Sequence, residues 1–124
     1  MAITLNTTLR SARATAIVTE AGSGALIKLY TAAYATLLGT LTCSATLGTV
    51  TNGVLTFNAI TSDSAADADG VFALARIYKS DGTTMVIEGL TVGTSGTNIV
   101  MNAASAVTGA VISMSSAVIT EGNA

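Results

Sequence analysis

Val71-Phe72-Ala73-Leu74-Ala75-Arg76-Ile77-Tyr78-Lys79 runs into Ser80-Asp81-Gly82-Thr83 and then Thr84-Met85-Val86-Ile87-Glu88, and the fold turns on how this stretch is read. Phe72, Leu74, Arg76 and Tyr78 alternate with Val71, Ala73, Ala75, Ile77 and Lys79, the period of two that an extended strand imposes on its side chains. Asp81-Gly82 carries turn chemistry, because Asp bonds its own backbone two residues on and Gly accepts a positive φ. The stretch therefore predicts a β-hairpin. Taking the first set as the core-facing one, Leu74→Asp is expected to bury an unpaired charge.

The same period extends upstream. Ala25–Thr31 sets Ile27 and Leu29 against Leu26, Lys28 and Tyr30, and Leu37–Cys43 places Leu37, Leu41 and Cys43 on one side with Gly39 between them. Asn52-Gly53 predicts a two-residue turn joining Thr49-Val50-Thr51 to Val54–Asn58, with Leu55 and Phe57 facing the core. Downstream, after Gly93 and Gly96, two further strands are expected at about Asn98–Asn102 and Ala110–Ile119. The Gly-Thr pairs at Gly39, Gly48, Gly82 and Gly93 are irregularly spaced, so they mark turns and not a solenoid repeat. Roughly seven short strands, joined by Gly, Asn, Asp and Ser, predict a mainly β fold: a small antiparallel β-sandwich or jelly-roll-like domain.

The N-terminal segment has a different period. In Asn6–Ala21, Leu9, Ala12 or Arg13, Ala16 and Ile17 recur at spacings of three and four, Asn6, Thr7 or Thr8 is available to cap, and Gly22 follows as a stop. This predicts one helix near Thr7–Ala21, and a division into an arm and helix over residues 1–22 and a single β domain over 23–124.

Composition narrows the chemistry. The chain has 124 residues, one domain's worth, with 50% hydrophobic, 4% aromatic and 10% charged residues, a formal net charge of -2 and a mean hydropathy of +0.65. An ordinary globular chain carries about 25% charge, so part of this surface is expected to be covered by a partner. There is no His and a single Cys, which excludes a His proton shuttle, a Cys/His metal cage and an internal disulfide. Lys28 and Lys79 lack a Ser-x-x-Lys spacing, so neither catalysis nor a cofactor is expected. Five basic residues are too few for a nucleic-acid surface. The uncharged runs Leu29–Ser62 and Gly89–Thr120 are interrupted throughout by Thr, Ser, Asn or Gly, so no membrane span is expected, and the start lacks the apolar region of a secretory signal, so synthesis in the cytoplasm is. Cys43 reads as a small buried hydrophobe.

Asp63, Asp67 and Asp69 form the densest acidic stretch. Set against a calcium loop with Gly70 as its turn glycine, the first and twelfth positions are Ala65 and Arg76, so no metal is expected. The stretch reads as a solvated loop ending in an Asp-Gly turn, with an irregular ion site on the three aspartates as the alternative.

Three stretches, LRSARATAIVTEAGSGALIKLYT (9–31), TNGVLTFNAITSDSAADADGVFALARIYKSDGTTMVIEGLTVGTSGTNIVMN (51–102) and VISMSSAVIT (111–120), together resemble a group of small phage-encoded proteins. Its members share a leading helix, a strand ending in IYT, a central NG…AIT.D..A…G…RI..SDGT.V pattern and a late TVGTSG. This chain is shorter than that pattern between Tyr30 and Leu37. The resemblance implies a tailed-phage virion structural protein, made in the host bacterial cytoplasm and carried on the capsid exterior. The expected role is a capsid decoration (cement) protein that bridges major capsid subunits, with a homotrimer as its assembly. The alternative is a tail or fibre component binding host glycan or protein, for which exposed aromatics drawn from Tyr30, Tyr34, Tyr78, Phe57 and Phe72 would be required. The expected capsid-facing residues are Leu5, Leu9, Arg10 and Arg13, since a terminal helix reaches a neighbour without disturbing a sandwich.

Overall fold

A computed structural model describes residues 6–120 and is mainly β. Helix α1 (Thr7–Ala21) is followed by β1 (Leu26–Tyr30), a 3-10 turn (Ala32–Tyr34), β2 (Leu37–Cys43), β3 (Gly48–Thr51), β4 (Val54–Phe57), β5 (Ile60–Thr61), β6 (Gly70–Val71), β7 (Leu74–Tyr78), β8 (Met85–Gly93), β9 (Ile99–Met101), β10 (Ser105–Ala106) and β11 (Met114–Thr120). Nine strands form one sheet in the spatial order β3-β4-β11-β9-β8-β7-β1-β2-β5, and β6 pairs with β10 beside it. The sheet curls, so that Leu47 and Leu55 near one end join Ile27, Leu29 and Leu41 near the other in a single core cluster, a sandwich-like arrangement. Each fully buried aliphatic side chain of this kind contributes about 1.5–3 kcal/mol.

The helix forms where its period predicts. Asn6 Oδ1 accepts from the Leu9 N–H at 2.8 Å, and the Gly22 N–H closes the far end on the Val18 carbonyl at 3.2 Å. Ala14 and Ala21 are buried, with Ile17 and Val18 packed against the core, and the helix lies against β3, β4 and β8. The Asn52-Gly53 turn also forms as expected, with φ of 52° and 79°, the paired positive values of the tight hairpin turn whose twist matches its strands. Ser11 Oγ accepts from the Gly53 N–H at 2.9 Å and ties this turn to the helix.

Four details differ from the sequence reading. The core face of β7 is Ala75 and Ile77, both fully buried, while Leu74 is only half-buried. Phe72 does point inward, so the alternation slips between Phe72 and Ala75, where the chain leaves its pairing with β10 for the main sheet. Ala73 marks the join, its N–H donating to the Tyr30 carbonyl and its own carbonyl accepting from the Val92 N–H, both at 3.0 Å. On β2 the register shifts opposite Leu29/Tyr30, and this bulge turns Leu38 fully inward beside Leu41.

The last strand begins at Met114, because residues 110–113 run along the acidic loop instead, with Ile112 bridging to Asp63. Finally, β8 and β9 are parallel, pairing Val92 with Ile99 and Gly93 with Val100. Parallel neighbours usually need a long crossover. Here residues 94–98 alone make the connection, and the side chain of Asn98 ties it back to β8 just before the ladder, accepting from the Thr91 N–H and hydroxyl at 3.0 Å each.

Candidate interaction surfaces

The predicted helix face divides in two. Arg10 sits one turn before Ala14, on the side that packs inward; it is half-buried, its Nη2 donates to Thr7 Oγ1 at 3.2 Å, and its Nε has no hydrogen-bond partner among the described residues. Leu9 is 46% exposed, and Arg13, four residues on, is exposed and already engaged. Leu5 lies outside the described residues.

The acidic loop spends two of its three carboxylates, those of Asp63 and Asp69, on architecture. Asp63 accepts from the Thr40 N–H at 2.9 Å and the Ala65 N–H at 3.1 Å, and the Asp67 N–H donates to the Leu38 carbonyl at 2.8 Å, so the loop seals the outer edge of β2. Asp69 Oδ1 accepts from the Thr108 N–H at 2.6 Å and hydroxyl at 3.0 Å, and these bonds, the N–H first, hold its carboxyl below the usual carboxylate range. No group of three or more potential metal ligands occurs among the described residues.

A first surface feature is apolar. A groove of about 350 Å³ opens over buried Phe72, Met101, Ala106 and Ile112, and Val107 and Val111 at its rim are 60% and 65% exposed. Val71, on the strand that pairs with β10, is also 65% exposed. Every residue from Gly89 to Thr120 is uncharged, so the lining of the groove carries no ionised side chain, and the carboxylates bound beside it are those of the acidic loop, Asp63 bridged to Ile112 and Asp69 bonded to Thr108. Large exposed aliphatics gathered about one concavity mark contact sites. The sequence hinted at this only through the length of its uncharged run, since Val107 and Val111 flank Gly109 without an alternation that fixes their direction.

A second feature lies on the solvent side of β1 and β7. Lys28 and Arg76 are direct cross-strand partners, and all three tyrosines of the chain gather around them from β1, the 3-10 turn and β7. The Arg76 guanidinium lies 3.9 Å from the Tyr34 ring centre and 5.3 Å from that of Tyr30, while Lys28 Nζ lies 4.7 Å from that of Tyr78. Tyr30 and Tyr34 meet edge to face at 5.3 Å. Arg76 Nε pairs with Glu88 at 3.1 Å, and Lys28 Nζ donates to the Gly82 carbonyl at 3.0 Å. Burial foremost, then the neighbouring Tyr78 hydroxyl, push the Tyr30 phenol above its ordinary value. The alternation of the sequence already set Lys28 with Tyr30 and Arg76 with Tyr78. Tyr34 was not legible, because it arrives through a left-handed backbone, φ 58° at Ala33 and 56° at Tyr34, that delivers its hydroxyl to the Gly89 N–H at 2.6 Å.

Comparison with protein-family models, with curated proteins and with solved structures finds no match.

Proposed function

We propose that this chain is a tailed-phage virion structural protein, a capsid decoration (cement) protein that stabilises the assembled head by bridging major capsid subunits. The observation that carries the reading is the uncharged groove rimmed by Val107 and Val111. A protein that acts by adding interface needs apolar surface that is exposed when alone and covered when assembled, without ions to desolvate. Each rim valine, once covered, contributes up to about 1.5–3 kcal/mol. The motif resemblance to small phage structural proteins points the same way, as does a core of aliphatics with no buried polar residue among the described ones. Exposed Leu9, with Arg13 beside it, offers a second contact at the helix. A homotrimer at three-fold lattice positions suits this role, since a closed ring matches a site that recurs over the shell.

Binding to the assembled lattice and not to dispersed subunits shifts disassembly by RT ln(1 + [L]/Kd), about 2.7 kcal/mol per site at 100 times Kd. Particles made without the protein are expected to break at lower temperature, and adding it back is expected to restore them. Val107→Asp with Val111→Asp should abolish that rescue while the isolated protein stays folded. Unchanged particle heat resistance without the protein, accompanied by lost adsorption to cells, would instead assign it to the tail or fibre.

A further inference from the structure

We propose that the outer face of β1 and β7 binds an acidic saccharide, a pyranose carrying a carboxylate. The inference is independent of the capsid reading and uses none of the groove residues.

Three observations lead to it. The first is a charge anomaly. The chain has only five basic residues, yet two of them, Lys28 and Arg76, are placed directly opposite one another on adjacent strands, where like charges destabilise a sheet. Glu88 answers Arg76, whereas Lys28 is met by a neutral carbonyl and a ring, which leaves the trio with one net positive charge. An anion seated between the two cations relieves the opposition.

The second observation is aromatic. The chain has three tyrosines among its few aromatic residues, and all three border this pair. Phenol rings offer a flat apolar surface to the C–H faces of a sugar, and their hydroxyls donate to and accept from sugar hydroxyls. The third is strain. Ala33 and Tyr34 both carry a Cβ and both hold a positive φ, a conformation that costs energy and gathers at ligand clamps. Its result is to lay the Tyr34 ring beneath the Arg76 guanidinium, fixing the fork that grips a carboxylate.

A ligand with one carboxylate per hydroxyl-rich ring uses all of these groups. A plain acidic peptide has no use for the tyrosine hydroxyls, and a densely charged polyanion meets a chain whose net charge is -2.

The test is a titration of the full chain, followed by backbone amide shifts, with short oligomers of galacturonic, glucuronic and N-acetylneuraminic acid beside maltotriose, acetate and triglutamate. At least one acidic oligomer is expected to bind, with shifts centred on Lys28, Tyr30 and Arg76, and the three controls to bind at least about tenfold more weakly. Lys28→Met should weaken the acidic oligomer at least about tenfold and leave the thermal midpoint unchanged or higher, because it removes one of two facing like charges. Tyr78→Phe keeps the ring and should weaken binding through the lost hydroxyl alone. No acidic oligomer binding, triglutamate binding as tightly as the saccharide, undiminished binding by Lys28→Met, or a lowered midpoint in that variant would each overturn the proposal. Val107→Asp should bind saccharide as the unaltered chain does, so failure here and failure of the capsid reading are separable.

Discussion

At Cys43 a single side chain reports on the whole core. Burial pushes its thiol up to about 12 and removes it from solvent, so the folded protein should resist a water-soluble disulfide reagent and react fully once denatured. The sign of the pH effect follows. Above about 8.5 the unfolded chain releases a thiol proton that the folded chain retains, so this contribution to stability is complete below that pH and declines as pH climbs toward 12. A urea series from pH 8 to 11 should show a falling midpoint that Cys43→Ala makes shallower. The corrected face of β7 gives a second residue-scale outcome. Ile77→Asp should cost several kcal/mol, at or beyond the chain's whole stability, while Leu74→Asp at its half-buried site should remain folded. Equal damage from both in thermal melts would contradict the assignment. Gly48 admits no side chain, since a Cβ there meets the Thr56 carbonyl oxygen at 2.2 Å and the Phe57 Cα at 2.9 Å, so Gly48→Ala must displace β3 from β4 and lower the melting midpoint.

Among the elements, those with local causes were legible in the sequence. Helix α1 was found from its period, from Asn6 and from Gly22; the β3–β4 and β7–β8 hairpins were found from Asn52-Gly53 and Asp81-Gly82. In the latter, Asp81 accepts from Thr84 Oγ1 at 2.6 Å and from the Thr83 and Thr84 N–H groups at 2.8 Å, and these bonds, the Thr84 hydroxyl foremost, hold its carboxyl well below the ordinary range. The turn should therefore weaken as pH falls below the ordinary carboxylate range, and Asp81→Ala should remove that dependence along with part of the hairpin's protection from hydrogen exchange. Elements with distant causes were not legible. Gly39 inside the β2 alternation is the one local sign of the bulge beside Leu38, but its position answers Tyr30 and the 3-10 turn across the pair, and nothing near Ala73 signals that the chain changes partners there. The parallel pairing of β8 with β9 follows a connection tied back by Asn98, read simply as the start of a strand. For the candidate surfaces the division is similar: the alternation grouped Lys28 with Tyr30 and Arg76 with Tyr78, but it set the latter pair on the side taken as core, which the structure turns outward, while Tyr34 and the valine rim depended on loops.

Across the whole molecule, the helix is a structural member and not a detachable arm. It lends Ala14 and Ala21 to the core and holds the β3–β4 turn through Ser11, and Lys79 of the β7–β8 connection reaches its Glu20 at 3.0 Å. Removing residues 1–21 should therefore expose apolar surface and unfold or aggregate the remainder, which dye binding and sedimentation would reveal; the helix contact in the capsid reading is better tested by Leu9→Asp alone. The position of β11 bears on how the chain comes to be folded at all. It lies between β4 and β9, and the β3–β4 hairpin joins the rest of the sheet through it. A ribosome that has not yet made residues 114–120 has made two unconnected pieces of sheet with bare edges. Closure then joins Leu55 to Ile119 over a long loop, the kind of late, non-local step that makes folding slow. Pairing of β11 with β4 and β9 is thus the step that makes one sheet, and the uncharged surface on β9 to β11 takes its final form only with it, so a copy cut before Met114 has no finished face to offer the capsid contact proposed for it.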